Sequence, residues 1–356
     1  MQLPRSLTLT DAVFVGLGSM IGAGVFAVFA PAAAAAGSAL LVSLVIAGVI
    51  ACCNALSSAW LAAKYPQSGG TYVYGRERLG RLWGDLAGWA FVLGKTASCA
   101  AMALTVGNYA GVPKPVAVAA IVALTVLNLT GVQKSALATR VIVIAVLLVL
   151  AATTVTARET TQPAEFLPAG ILPAAALLFF AFAGYARIAT LGEEVKEPQR
   201  TIPRAVIIAL AITLVVYAAV ALTALSALGA DLATKTLADV SPALAPVIRA
   251  AACLAALGSL LSLQLGVSRT ALAMARDRRL PKQLADLRVA EICTGLAAIA
   301  LVLTVDVTRA IVFSSFCVLL YYAIANASAW TLGKRVVPAI GLVGCLTLAG
   351  AVLWQL

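Results

Sequence analysis

Apolar stretches long enough to cross a lipid bilayer follow one another along almost the whole 356-residue chain. A spanning helix needs about 20 mostly apolar residues, because about 30 Å of hydrocarbon is covered at about 1.5 Å per residue. Between polar, proline and glycine punctuation, the sequence predicts spans over 11–36, 38–62, 83–110, 114–131, 139–157, 171–192, 203–229, 243–275, 290–306, 309–332 and 337–355. The expected fold is an all-α polytopic membrane protein with about eleven transmembrane helices. The third, sixth and eighth spans are long enough to need tilt, a break or an extension beyond the membrane. With 62% hydrophobic and 11% charged residues and a mean hydropathy of +1.03, the chain lies outside the range of soluble domains.

Positive charge sets the expected orientation, since cytoplasmic loops retain Lys and Arg during insertion. With the N-terminus inside, most basic residues, from Arg5 through Arg76 and Arg276 to Arg335, fall in cytoplasmic loops. Lys114, Arg158, Lys235, Arg309 and Arg249 fall outside or close to it. The expected location is the cytoplasmic (inner) membrane, multi-pass, in contact with lipid. The net charge of +11 sits in short loops between apolar spans, which fits topogenesis and not a nucleic-acid surface. The first apolar segment, from Asp11 onward, is longer than a signal-peptide core and is read as a retained helix.

Several function classes are disfavoured. Seven cysteines, an odd number without C-x-x-C spacing, read as small core residues. The chain has no His, which removes the commonest catalytic base and metal ligand. No G-x-S-x-G or Walker-type element occurs, so neither an enzyme nor an ATP-driven pump is expected, and no metal or cofactor.

Two spans carry features that a plain anchor does not need. In the first, Gly16, Gly18, Gly22 and Gly24 crowd the run Gly18 to Phe26, which can unwind at mid-membrane. Unwound backbone is tolerated there only where it faces protein, water or ligand, so it implies a binding cavity. The Gly18/Gly22 spacing equally suits close helix packing. In the sixth, Gly184 is flanked by aromatics in Phe179-Phe180-Ala181-Phe182-Ala183-Gly184-Tyr185, a pattern that suits a pocket wall or ordinary core. One break opens the first five helices and the other opens the next five, the layout of an inverted-repeat transporter.

Four segments occur in one order: Gly18 to Phe26, Tyr65 to Tyr72, Gly192 to Arg204, and Ser268 to Asp277. Together they closely resemble the amino acid–polyamine–organocation superfamily of permeases, over about residues 8–332. The resemblance implies the fold of the bacterial leucine transporter, a five-plus-five inverted repeat with broken first and sixth helices. Residues 1–356 then form one transport domain, with 1–160 as the first repeat, 161–332 as the second and 333–356 as an accessory eleventh helix. It also implies a permease moving an amino acid by alternating access, with a proton or sodium as coupling ion. The reading favoured is proton-coupled symport, with an amino acid or amine exchanger as the alternative and an ion channel as the contrasting class. Relatives commonly have twelve helices, so the oligomeric state, monomer or homodimer, is left open.

Carried over residue by residue, the first break offers backbone N–H groups of Ile21, Gly22, Ala23 and Gly24, beside Ser19, to a carboxylate. The second offers carbonyls near Phe179, Phe182 and Ala183 to an ammonium, with Gly184 at the break and Phe182 and Tyr185 as walls or lids. Some relatives carry a coupling lysine in the fifth helix, but the matching position here is Val146. Lys95 instead lies deep in the third helix beside Gly94 and Ser98, where a lysine is costly and implies a cavity and a coupling role, or else a structural amine on the helix-break carbonyls. Arg187 follows the second break and reads as a gate or as a partner of Glu193 or Glu194. Ser259, Ser262 and Gln264 of the eighth helix are the polar residues placed to face the first break.

Overall fold

The computed structural model describes residues 7–22, 24–65, 69–130, 136–157, 163–189, 191 and 194–353. The first span is broken into α1 (Leu9–Met20), α2 (Gly24–Ala27) and α3 (Phe29–Ala36). It is followed by α4 (Leu40–Lys64), a short surface helix α5 (Thr71–Leu79), α6 (Arg81–Ala110), α7 (Pro113–Leu129) and α8 (Ala136–Thr156). The sixth span comprises α9 (Ile171–Phe182), a 3-10 turn at Ala183–Tyr185 and α10 (Ala186–Ala189). Then come α11 (Pro198–Leu228), α12 (Ala245–Arg276), α13 (Leu287–Thr304), α14 (Val307–Trp330) and α15 (Val336–Leu353).

Among the described residues, ten stretches are long and apolar enough to cross a membrane, and the 17-residue α7 is a shorter apolar helix. Both expected breaks are present. One difference is α5, a separate helix where the sequence predicts loop; it carries Arg76, Glu77 and Arg78 and is too polar to enter lipid.

The bundle places small residues inside and large apolar ones outside. Ala32, Ala36, Ala47, Ala51, Ala100 and Ala101 are fully buried, whereas Val155 is 84% and Val215 71% exposed. Lipid is as apolar as Leu, so burying Leu against a neighbour gains little and close packing of small residues holds helices together. On α6, a Cβ on Gly94 would stand 2.7 Å from Cys317 Cβ of α14, so the glycine sets that approach. The α15 helix is also fastened inside: Asn326 Nδ2 donates to Asn54 Oδ1 at 2.6 Å, and Asn54 Nδ2 to Cys345 Sγ at 3.2 Å.

One end of the bundle gathers the basic side chains of α5, the α12 end and the segment before α11, forming a basic face. There Thr8 and Asp11 form a capping box on α1, and Asp11 receives Arg140 of α8 at 2.7 Å. The chain start is clamped to the segment after the second break, because Leu7 N–H donates to Glu194 O and Lys196 N–H to Leu7 O, both at 3.0 Å.

Candidate functional site

The two breaks lie back to back. A side chain on Gly184 would run into the backbone of Ser19 and Met20, and one on Gly24 would stand 2.7 Å from Ala181 Cα. A side chain on Gly22 would collide with Ser259. The glycines thus serve contact between the two breaks and with α12. Gly18 supports close packing against Thr139 and Val143 of α8.

Backbone groups freed by the first break are taken up by hydroxyls from other helices. Ser259 Oγ donates to Gly18 O at 3.0 Å, and Tyr217 Oη to Met20 O at 2.5 Å. The same Tyr217 hydroxyl lies 3.1 Å from Ala181 O, so one side chain of α11 joins both breaks. Ser19 Oγ bonds back to Val15 O at 2.9 Å. Ile21 N–H donates to Leu17 O at 2.8 Å and is not offered to a ligand, contrary to the expectation for that residue. Ala23 lies outside the described residues.

At the second break Ala183 N–H turns back to the carbonyls of Phe179 and Phe180. Its own carbonyl is approached by Lys95 Nζ at 3.3 Å and Tyr322 Oη at 3.4 Å. The carbonyl expected to hold a substrate ammonium therefore holds the chain's own. Phe179, Phe182 and Tyr185 are fully buried. Their rings pack on Tyr322, Tyr217 and Tyr322, with centroids 5.8, 4.9 and 5.0 Å apart. They back the wall, and the face toward the open space is made by Phe180, Ala183, Gly184, Ala186 and Arg187.

That space is a cavity of about 660 Å³ reaching from the breaks to the basic face. Ser19, Lys95, Ser98, Arg187, Ser259 and Ser262 all line it, with Glu194, Arg269 and Arg276 toward its mouth. Ser98 Oγ lies 2.7 Å from Ser314 Oγ, and Ser262 Oγ bonds back to Gly258 O at 3.1 Å. Gln264 is turned to α7, donating to Thr125 Oγ1 at 3.2 Å, so it does not face the first break. Glu193 lies outside the described residues, while Glu194 stands 3.7 Å from Arg269. Val146 lines a void of only about 10 Å³ beside Gly18, Ile21 and Gly22.

A second cavity, of about 610 Å³, opens on the opposite face among Phe26, Asn108, Tyr109, Lys235 and Arg309. On α6 Met102 lines the first cavity and Thr105 the second, three residues and so about 4.5 Å of helix axis apart. The partition includes Phe26 and Tyr109, whose rings meet edge to face at 5.8 Å, with the Tyr109 hydroxyl donating to Phe26 O at 3.2 Å.

At the basic face Asp277 accepts from Tyr72 Oη at 2.7 Å and pairs with Arg76 at 2.6 Å. Asp85 and Arg279 pair at 3.0 Å, and Thr71 N–H donates to the hydroxyl of cavity-lining Tyr321 at 2.9 Å. Burial, and then its bond to the Asp277 carboxylate, push the Tyr72 hydroxyl up to about 12, so it stays a donor at neutral pH. Asp277 likewise raises the Arg76 guanidinium. Sequence reasoning missed Tyr217 and Tyr322, and the cavity-lining Phe91, Phe180 and Tyr321. The available signal was a tyrosine inside an apolar span, as in Leu214-Val215-Val216-Tyr217, whose hydroxyl needs a partner at depth.

Comparison with known proteins agrees with this geometry. The sequence pattern of the amino acid permease family matches residues 7–338. An uncharacterised transporter of Mycobacterium tuberculosis is 56% identical over 381 aligned residues, covering 98% of this chain and 87% of that protein. The methylthioribose transporter of Bacillus subtilis is 29% identical over 252 residues, covering 62% of this chain and 55% of its own. The vacuolar cationic amino acid transporter 2 of Arabidopsis thaliana is 29% identical over 359 residues, covering 86% and 56%. The chain belongs to the amino acid permease family of the amino acid–polyamine–organocation superfamily and is a multi-pass membrane transporter.

Proposed function

We propose that this transporter is a secondary active permease that carries an amino acid across the cytoplasmic membrane by alternating access, as a proton symporter, with its N-terminus and basic face toward the cytoplasm. The observation that carries the reading is the pair of cavities on opposite faces, parted on α6 by about 4.5 Å at the level of the breaks. A channel needs one continuous path, whereas two vestibules meeting at a thin partition suit a site exposed to one side at a time. On this reading the conformation is inward-open, and the substrate is held in the first cavity, whose lining includes Ser19, Gly184 and Lys95. The pairing of breaks in the first and sixth spans supports the division into repeats 1–160 and 161–332, with 333–356 beyond them.

Protons are favoured over sodium because a lysine stands at the depth of the breaks, whereas the space beside Val146 is only about 10 Å³. Lys95 supplies the alternative, since an amine in a cavity that alternates between dry and wet can release and regain a proton.

Uptake by proteoliposomes from a panel of labelled amino acids, with pH and sodium gradients imposed separately, tests the reading. Saturable accumulation that follows the pH gradient is expected. Substrate-independent conductance would overturn the transport cycle, and accumulation driven by sodium alone would overturn the coupling.

A further inference from the structure

Resting on that transport reading, we infer that the substrate is anionic, an amino acid with an acidic side chain, recognised by the Lys95 ammonium at the depth of the second break. Among the described residues lining the cavity, Lys95, Arg187, Arg269 and Arg276 carry positive charge, and Glu194 alone carries negative. Glu194 stands 3.7 Å from Arg269 and offsets one positive charge near the mouth, so the described lining keeps an excess of positive charge. The depth of the site holds no carboxylate from the described residues to receive a cationic side chain.

The cations form a path. Arg269 and Arg276 are seven residues apart on α12 and therefore share one face, about 10.5 Å apart along the axis. Arg187 follows on α10, immediately after the break, and Lys95 stands deepest, 6% exposed. A cleft of one sign with low-dielectric walls focuses its field and concentrates ions of the other sign. The net positive charge of the described lining draws an anion inward and repels a lysine- or arginine-like substrate.

The chemistry at the end of the path points the same way. The Ala183 carbonyl, which would otherwise receive a substrate ammonium, is occupied by Lys95 at 3.3 Å and Tyr322 at 3.4 Å. A neutral carbonyl is a weak partner for an ammonium buried at membrane depth, and an incoming carboxylate is a stronger one. Ser98, one turn from Lys95 on the same helix, and Ser19 also line the cavity, and their hydroxyls, which bond to Gly94 O and Val15 O, reach the remaining oxygens by rotation about χ1. Several relatives are named for cationic amino acids, and an acidic substrate would set this chain apart from them.

The test is competition in proteoliposomes containing the full chain: unlabelled glutamate and aspartate, leucine and serine, and lysine and arginine are set against whichever labelled amino acid accumulates. Acidic competitors are expected to act at concentrations on the order of tenfold or more below neutral ones, with cationic ones ineffective. Read by competition against equilibrium exchange of the labelled substrate, which needs no pH gradient, Lys95→Met should remove most of that preference, and Lys95→Arg, which keeps the charge, should retain it. Best competition by lysine or arginine would overturn the inference and leave transport standing. So would an equal loss for all classes in Lys95→Met, which would make Lys95 a structural amine. Absence of uptake and competition for every class would instead sink the transport reading beneath it.

Discussion

The two breaks solve one problem by different means. At the first, backbone carbonyls exposed by unwinding are met by neutral hydroxyls, Ser259 on Gly18 and Tyr217 on Met20. At the second, the Ala183 carbonyl meets an ammonium. The first is rich in glycine, which lets helices come close; the second has one glycine among buried aromatics, and only its inner face reaches the cavity. The difference separates roles. The first break is seated on α11 and α12 by neutral hydroxyls, and the second carries the charged contact.

Loss of the contact between the breaks should have the largest effect. Gly184→Leu, and likewise Gly24→Leu, would force a side chain into the opposing backbone, at about 1–3 kcal/mol or more of overpacking. Transport should be abolished while membrane insertion, followed by expression and detergent-extracted yield, stays near normal. Full uptake by either variant would show that the breaks move independently.

Next in size is the charge at the second break. Lys95→Met should lose accumulation driven by a pH gradient yet retain equilibrium exchange of substrate at reduced affinity. Lys95→Arg should keep substrate preference and still fail to accumulate, because Arg is effectively always protonated. Accumulation by Lys95→Met at the unmodified rate would move coupling to the first break and erase the contrast between the two.

Smaller effects are expected of the hydroxyls. Tyr217→Phe removes a hydroxyl that bonds to both breaks and should cost about 0.6–2 kcal/mol, read as a lower melting temperature of the purified protein. Ser259→Ala removes one such bond, should cost about 0.6 kcal/mol, and should leave uptake indifferent to sodium. A larger loss for Ser259→Ala than for Tyr217→Phe would show that the first break is held mainly by α12 and not by α11.

The smallest effect lies at the basic face. Arg76→Gln breaks an exposed pair with Asp277, worth about 0–1 kcal/mol and screened by salt. Tyr72, held neutral with its value raised from 10.0 to about 12, contributes stability that is present below about pH 10 and lost as pH rises through about 12. Transport measured between about pH 5 and 9 should therefore show no titration traceable to this group, and a Tyr72→Phe variant should leave that profile unchanged.

Much of this architecture is legible in the sequence. Span length, glycine crowding and the placement of Lys and Arg follow from the bilayer's thickness and dielectric, which act on each segment separately. Lys95 stands out because a lysine at membrane depth is costly wherever it packs. The hidden part depends on helix rotation and on contacts far apart in the chain. Nothing local says that Phe180 faces the cavity while Phe179 and Phe182 turn away, or that Gly184 meets Ser19. Gln264 and Ser262 lie on one helix two residues apart, so one of them turning to α7 while the other lines the cavity is decided by the position of α12 in the bundle.

Whether substrate occupies the cavity that opens from the breaks to the basic face is reported most directly by Ser19. A Ser19→Cys replacement changes one atom at a residue that lines the cavity. In reconstituted protein, modification at residue 19 by a membrane-impermeant thiol reagent applied to the basic face is read by peptide mass spectrometry, with and without saturating transported substrate. Labelling that is rapid without substrate and slowed at least about tenfold with it is the predicted result; an unchanged rate at saturating substrate would place the binding site elsewhere.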